Sequence, residues 1–508
     1  MWHLAADEQT VTGVGNTTFL QLIDHNNPSL GTFEQFYMYD TTYYKGPGSP
    51  IVLFTPGEVN ASAYTTYLNT NRTTGVVAKE IGAATIVLEH RYWGTSTPYT
   101  EFTTENLKYL TLDNAIHDLT YFAKNAKLPF DHRSASNAQN TPWVLIGGSY
   151  SGALSAWVES VDPGTFWAYH ASSAPTEAVS DYWGYFLPVQ EGMPKNCSKD
   201  VNLVIEHMDN VLKTGTAEEI HNLKAMFGLE SVEHNDDFMA ALEWAPWLWQ
   251  DNQFYTTAGF YIWCDYIENS VNQTDPSKLP GEEGVGLEKA LEGYAKWGKD
   301  FYFPDFCQET YGYFGGGLNT ECFNTYNKSN PIFTDITPSN TADRQWVWMT
   351  CNEPFGYWQD GAPEGRSTLV SRLVNAEYWI RQCDLYFPPG PDGETFGINK
   401  GKTEADVNKY TGGWDITKST RLQYTNGGFD PWREATVSSE LRPGGPLQST
   451  EQVPVHWVPG GFHTSDLVTM NGVVNASCKA VIDAEVAQLV KWVNEWPKKY
   501  RGRRARRN

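Results

Sequence analysis

The stretch WVLIGGSYSGALSAW, residues 143–157, constrains the fold of this chain more than any other. An unbroken apolar run containing Val and Ile reads as a strand buried on both faces, which is found where helices cover both sides of a parallel sheet. Two glycines then turn the chain and a helical run follows, with Ser149 at the corner. A serine at such a corner is presented at the carboxyl edge of the sheet, and the N–H groups behind it can hold an oxyanion. Gly147, Gly148 and Gly152 supply small neighbours, but the second glycine of a G-x-S-x-G pattern is Ser151.

The same grammar recurs along the chain. Residues 50–58 (PIVLFTPGE) and 85–94 (TIVLEHRYWG) read as further buried strands. The run TTENLKYLTLDNAIHDLTYFAKNA spaces Leu107, Leu110, Leu112, Ile116, Leu119 and Phe122 as a helix would, giving strand, helix, strand. From about residue 180 the chain turns helical and rich in aromatics, with a capping-box pattern from Thr216 to Glu219. Strand-like runs return at 421–427 and 453–461. A C-terminal amphipathic helix carrying Ile482, Val486, Leu489, Val490 and Val493 on one face follows them. The middle therefore reads as an insertion into an α/β domain, and 508 residues leave room for two or three domains.

With 37 basic against 60 acidic residues, the formal charge of -23 repels phosphate backbones and anionic lipid, so nucleic acid is not an expected partner. Such a surface also suits work in acid, where carboxylates approach their pKa values and the net charge is modest. Seven Asn-x-Ser/Thr sites (Asn16, Asn60, Asn71, Asn196, Asn272, Asn327, Asn475) point to a glycoprotein. The seven Cys (197, 264, 307, 322, 351, 383 and 478) contain no CxxC pair and read as disulfides, with an odd thiol left over and the connectivity open. No apolar run reaches the length of a membrane span, and the first residues have no signal-peptide pattern. The basic end KKYRGRRARRN reads as a frayed terminus. There is no phosphate-binding GxxxxGK[ST], no GxGxxG after a strand and no HExxH, so neither cofactor nor metal is expected.

Catalysis by a corner serine requires an acid and then a histidine on loops after later strands, in the order Ser, Asp, His. QYTNGGFDPW supplies Asp430 after one such strand and VHWVPGGFHTSD supplies His463 after the next. Glu89, His90 and Arg91 end a strand near the same edge and read as buried polar support rather than as the base.

At this point the residues resemble a known family. EHRYWG, LKYLTLDNAIHDLTYF, GGSYSGALSAW, WVWMTCNEPFGYWQDGAPEG, TGGWD, TNGGFDPW and PGGFHTSDL resemble the serine carboxypeptidase family of prolyl carboxypeptidase and dipeptidyl peptidase II, and its fungal acid prolyl endopeptidases in particular. The resemblance spans nearly the whole chain. It implies an α/β-hydrolase domain in two parts, 1–178 and 376–496, around a large, mainly helical cap at 179–375, with a basic tail at 497–508. Ser149, Asp430 and His463 would be catalytic. The Tyr150 N–H, with Gly57 or Glu58 of the TPGE loop, would form the oxyanion hole, and Trp432, Glu353 and Phe355 the substrate pocket.

The implied activity is acid serine peptidase action on the carboxyl side of proline, in proline-containing peptides or proteins, in a secreted or vacuolar, lysosome-like compartment. A proline ring, lacking an N–H, packs well on aromatic faces. An endopeptidase is expected, with a prolyl carboxypeptidase or dipeptidyl peptidase as the alternative. An esterase or lipase of the same fold and a non-catalytic Trp-rich binding glycoprotein are the remaining readings.

Overall fold

A computed structural model describes residues 13–340, 343–416 and 418–497. Its centre is an eight-stranded sheet formed by β1 (Val14–Leu22), β2 (Thr32–Asp40), β3 (Ile51–Phe54), β4 (Ala84–Leu88), β5 (Trp143–Gly148), β6 (Ala168–Ser172), β9 (Leu422–Gly427) and β10 (Val455–Val458). The order across the sheet is β1-β2-β4-β3-β5-β6-β9-β10. β1, β2 and β4 pair antiparallel, and every pair from β4 through β3, β5, β6 and β9 to β10 is parallel. The strands read from continuous apolar runs are the interior ones, where both faces are covered. β3 alternates its side chains between two apolar layers: Ile51 and Leu53 in one, Val52 and Phe54 in the other.

The second layer is closed by the helix Thr73–Ile81 and by the C-terminal helix Ala476–Asn494, whose Ile482, Val486, Leu489 and Val493 are buried there. The first layer contains the helices Leu112–Asn125 and Tyr150–Val161 and runs on without a break into the insertion. The insertion is mainly helical, and β7 (Val179–Asp181) at its start pairs with β8 (Gly356–Trp358) as a separate two-stranded sheet. The Thr216–Glu219 capping box is present.

Six cysteines pair inside this region, as Cys197–Cys264, Cys307–Cys322 and Cys351–Cys383, and the buried Cys478 is free. Closing a span of 67 residues with the first of these removes roughly 4 kcal/mol of unfolded-chain entropy. The third links helix Arg344–Asn352 to helix Ala376–Tyr386 across the expected boundary at 375. We therefore propose that the cap extends through Tyr386 before the chain returns to the sheet. The basic tail lies outside the described residues beyond Pro497. Five of the seven sequon asparagines (Asn16, Asn60, Asn71, Asn272 and Asn327) are exposed, and Asn196 and Asn475 are half-buried.

This pairing carries a prediction for protein made through a secretory pathway. Thiol titration should find none in the native state, one on unfolding and seven after reduction, and intact mass should fall on deglycosylation. Several reactive thiols in the native protein would contradict the pairing.

Candidate functional site

β5 delivers Ser149 into a left-handed backbone conformation, φ 60° and ψ -135°, that only a tightly determined corner imposes on a residue with a Cβ. The corner is pinned by the Ser149 N–H donating to Ser172 O on β6 at 3.0 Å. Gly147 has no alternative, because a Cβ there would come within 1.9 Å of Ser151 O. The departure from G-x-S-x-G at Ser151 now has a physical account. The Ser151 hydroxyl donates to Gly148 O at 2.8 Å and accepts from Gly148 N at 3.1 Å, fastening the turn from inside. The close approach that demands a glycine falls one residue later, since a Cβ on Gly152 would come within 2.6 Å of Ser172 O.

Asp430 follows β9 and His463 follows β10, and the two meet through a hydrogen bond of 2.9 Å between His463 Nδ1 and Asp430 Oδ1. The same oxygen accepts the Trp432 N–H at 3.0 Å, and Asp430 is completely buried. His463 Nε2 is buried without a hydrogen-bond partner. The residues after it reach the serine corner: Thr464 N–H donates to Ser173 Oγ at 2.8 Å, and the Thr464 side chain lies 2.9 Å from where a Gly148 Cβ would be. The structure thus gathers the loops of Ser149, Asp430 and His463 at one edge of the sheet.

The loop carrying Gly57 and Glu58 follows β3, the strand next to β5. Gly57, at φ 78°, sits against the start of the corner helix, where a Cβ on it would be 3.4 Å from both Tyr150 and Ser151 side chains. Tyr150, as the first helical residue, has an N–H without an intrahelical partner. Burial raises the Glu58 carboxyl to about 7, its own backbone N–H opposes this, nearby Asp343 raises it further, and His463 offsets part. Asp343 is itself raised to about 7 by burial, against hydrogen bonds from Trp93 and Trp346.

Trp432 borders a cavity of about 300 Å³ together with Tyr185, Trp244, Trp247, Gln250 and Asp251. It stacks on Tyr182 with centroids 5.6 Å apart, meets Tyr185 and Tyr357 edge-on, and lies 6.4 Å from the His463 ring. Glu353 and Phe355, read from sequence as pocket residues, do not border the cavity that Trp432 borders. Glu353 accepts the Leu112 N–H at 3.1 Å, pairs with Lys402, and borders a different cavity with Tyr109 and Thr111. Phe355 is fully buried and stacked on Trp157, Trp346 and Tyr357, one layer behind Trp432.

Glu89, His90 and Arg91 are structural. Glu89 accepts from the N–H groups of Ala61, Thr95 and Ser96, and Arg91 forks onto Asp118 at 2.7 and 2.6 Å. His90 bridges Arg91 O and the Tyr150 hydroxyl, and burial lowers its pKa to about 4.

The cap contribution was not read from sequence. Gln250 Oε1 accepts from Trp432 Nε1 at 2.6 Å, Trp249 Nε1 donates to Phe429 O at 2.7 Å, and Gln253 donates to His463 O at 2.9 Å. The cap segment 244–254 therefore clamps the Asp430 and His463 loops. The only signal for it was three tryptophans in six residues, WAPWLW.

The serine carboxypeptidase S28 family profile matches residues 21–245 and 307–471. The chain belongs to this family of serine peptidases. It is 41% identical over 481 residues to the serine protease vicPa of Bipolaris victoriae, covering 94% of this chain and 89% of that one. It is 28% identical to a probable extracellular serine carboxypeptidase of Arthroderma benhamiae, over 92% of this chain and 65% of that one. It is 23% identical to the lysosomal Pro-X carboxypeptidase of Pongo abelii, over 94% and 88%. The chain is an α/β hydrolase with a helical insertion, and among the described residues no helix is long and apolar enough to cross a membrane.

The raised carboxyls generate a pH prediction. A carboxyl raised in the folded state keeps a proton that the unfolded chain has lost, so it favours folding at low pH, and the advantage disappears as pH rises from about 4.5 through about 7. Ionised Glu58 and Asp343 also put negative charge beside the Gly57 loop, against a developing oxyanion. Activity is expected to fall above about pH 7, and Glu58→Gln should move that limb upward. A limb unchanged in Glu58→Gln and in Asp343→Asn would remove these carboxyls from the explanation.

Proposed function

We propose that the protein is an acid serine peptidase that cuts on the carboxyl side of proline through an acyl-enzyme. Ser149 Oγ gives its proton to His463 Nε2 and attacks the carbonyl carbon, while Asp430 holds Nδ1 and stabilises the imidazolium. The carbonyl oxygen, now negative, is held by the N–H groups of Tyr150 and of Gly57 or Glu58. The carbon–nitrogen bond breaks as His463 returns the proton to the leaving amine, and water then repeats the sequence to release the acid.

The observation that carries the proline reading is the aromatic cavity beside His463. Its walls of Trp432, Tyr185, Trp244 and Trp247 offer faces to a ring and no charged group other than Asp251. A second cavity of about 460 Å³ borders His463 and shares Gln250 and Asp251 with the first. Two cavities that share wall residues leave room for chain on both sides of a cut bond, which supports internal cleavage over an end-directed mode. The exposed sequons, the three disulfides and the carboxyls that favour acid support a secreted or acidic, vacuole-like location, and the names of the fungal and lysosomal relatives agree with it.

The test is a peptide blocked at both ends with one internal proline, compared with its alanine twin and a simple aryl ester at pH 5. Loss of the ring methylenes is expected to lower kcat/KM by roughly 10- to 200-fold, and Trp432→Ala should collapse that ratio. A ratio near one would reject proline selection. Cleavage only with a free terminus would reject the endopeptidase mode, and hydrolysis of the ester alone would favour an esterase.

A further inference from the structure

The second cavity contains a cation with no ion-pair partner among the described residues. Arg72 borders it together with His463, Thr464, Tyr67, Tyr255 and Asp251. The segment carrying Arg72 is fastened to the one after His463. Arg72 and Val468 form an antiparallel bridge, Thr469 N–H donates to Asn71 O at 3.3 Å, and the Thr73 hydroxyl donates to Asp466 O at 2.6 Å. The guanidinium lies 5.0 Å over the Tyr67 ring and one Nη donates to Asn71 O at 3.1 Å. Its Nε is buried with no hydrogen-bond partner, and no carboxylate forms an ion pair with it among the described residues.

An unpaired guanidinium is unusual in a chain of charge -23, where acidic side chains outnumber basic ones by 60 to 37. A buried donor left unsatisfied costs stability unless something else satisfies it, and a planar guanidinium held on an aromatic face is preorganised for a carboxylate. The location fixes which part of a substrate supplies that carboxylate. His463 must protonate the leaving amine, so the cavity that His463 borders and Trp432 does not is the one assigned to the residues that leave.

We propose that Arg72 is a specificity-determining residue of the leaving-group pocket, selecting peptides with a carboxylate just after the cut bond. This rests on the reading of His463 as proton shuttle. The carboxylate has two sources, the α-carboxylate of a substrate ending there and an Asp or Glu side chain in a longer one. Asp251, the other charged group in the wall, is raised by burial and lowered by His463, so acid weakens its repulsion of such a ligand.

Three substrate pairs at pH 5 test it: a peptide cut before its last residue, as free acid and as amide; the same pair with alanine replacing the acyl-side proline; and an end-blocked peptide with Glu or Gln after the cut bond. The wild type should favour the carboxylate member of at least one pair by roughly 10- to 100-fold in kcat/KM. Arg72→Gln should bring that ratio to within about threefold of unity, and Arg72→Lys, which keeps the stem over Tyr67 and the charge, should retain part of it. Each ratio is taken within one preparation, so loss of folded enzyme cancels. An unchanged ratio in Arg72→Gln, or a wild-type ratio near one in every pair, overturns the inference. A proline-to-alanine ratio near one with the carboxylate preference intact would reject proline selection and leave Arg72 as assigned.

Discussion

One carboxylate oxygen orders this site. Asp430 Oδ1 accepts from His463 Nδ1 at 2.9 Å and from the Trp432 N–H at 3.0 Å. The first bond sets the tautomer and orientation of the imidazole, and the second starts the turn that aims the indole into the cavity. An isolated carboxylate this deeply buried is costly, and these two donors, one from a side chain and one from the backbone, are what make it tolerable. The His463 imidazole and the Trp432 wall of the cavity are thereby held in fixed relation to each other. The cap completes the arrangement through Gln250 on Trp432 and Gln253 on His463 O.

The parts of the site legible in the sequence were those that the sheet dictates. A strand of the sheet must end in a turn, and at β5, β9 and β10 those turns carry Ser149, Asp430 and His463. The parts that were not legible depend on contacts distant along the chain. β1 and β2 alternate rather than run apolar, and β6 is the polar-looking AYHAS, so no continuous pattern announces them. Glu353 and Phe355 sit in an aromatic and acidic motif, yet their partners Leu112, Lys402, Trp157 and Trp346 hold them away from the cavity that Trp432 borders. Gln250, Gln253 and Arg72 have no local signature, because each acquires meaning only from the loop it faces.

Burial shifts carboxyls and histidines of this molecule in ways that tie the fold's stability to pH. Glu58 and Asp343 are raised to about 7, Glu177 to about 6 and Asp360 to about 9, each chiefly by burial. Asp118 runs the other way, held low by Arg91 and His25 although burial opposes it. Raised carboxyls favour the folded state as pH falls toward about 4.5, and lowered ones favour it as pH rises through their own range. His90, lowered to about 4 by burial, also favours the folded state as pH rises, so it opposes the raised carboxyls in acid, where the formal charge of -23 is partly neutralised.

The most direct test of the account is to locate the nucleophile. Fluorophosphonate labelling of the active protein, followed by digestion and peptide mass mapping, should put a single adduct on Ser149. Asp430→Asn should label far more slowly, since the imidazole then loses the carboxylate that stabilises its cation. An adduct on another serine, or full activity in protein whose Ser149 is quantitatively labelled, would contradict it.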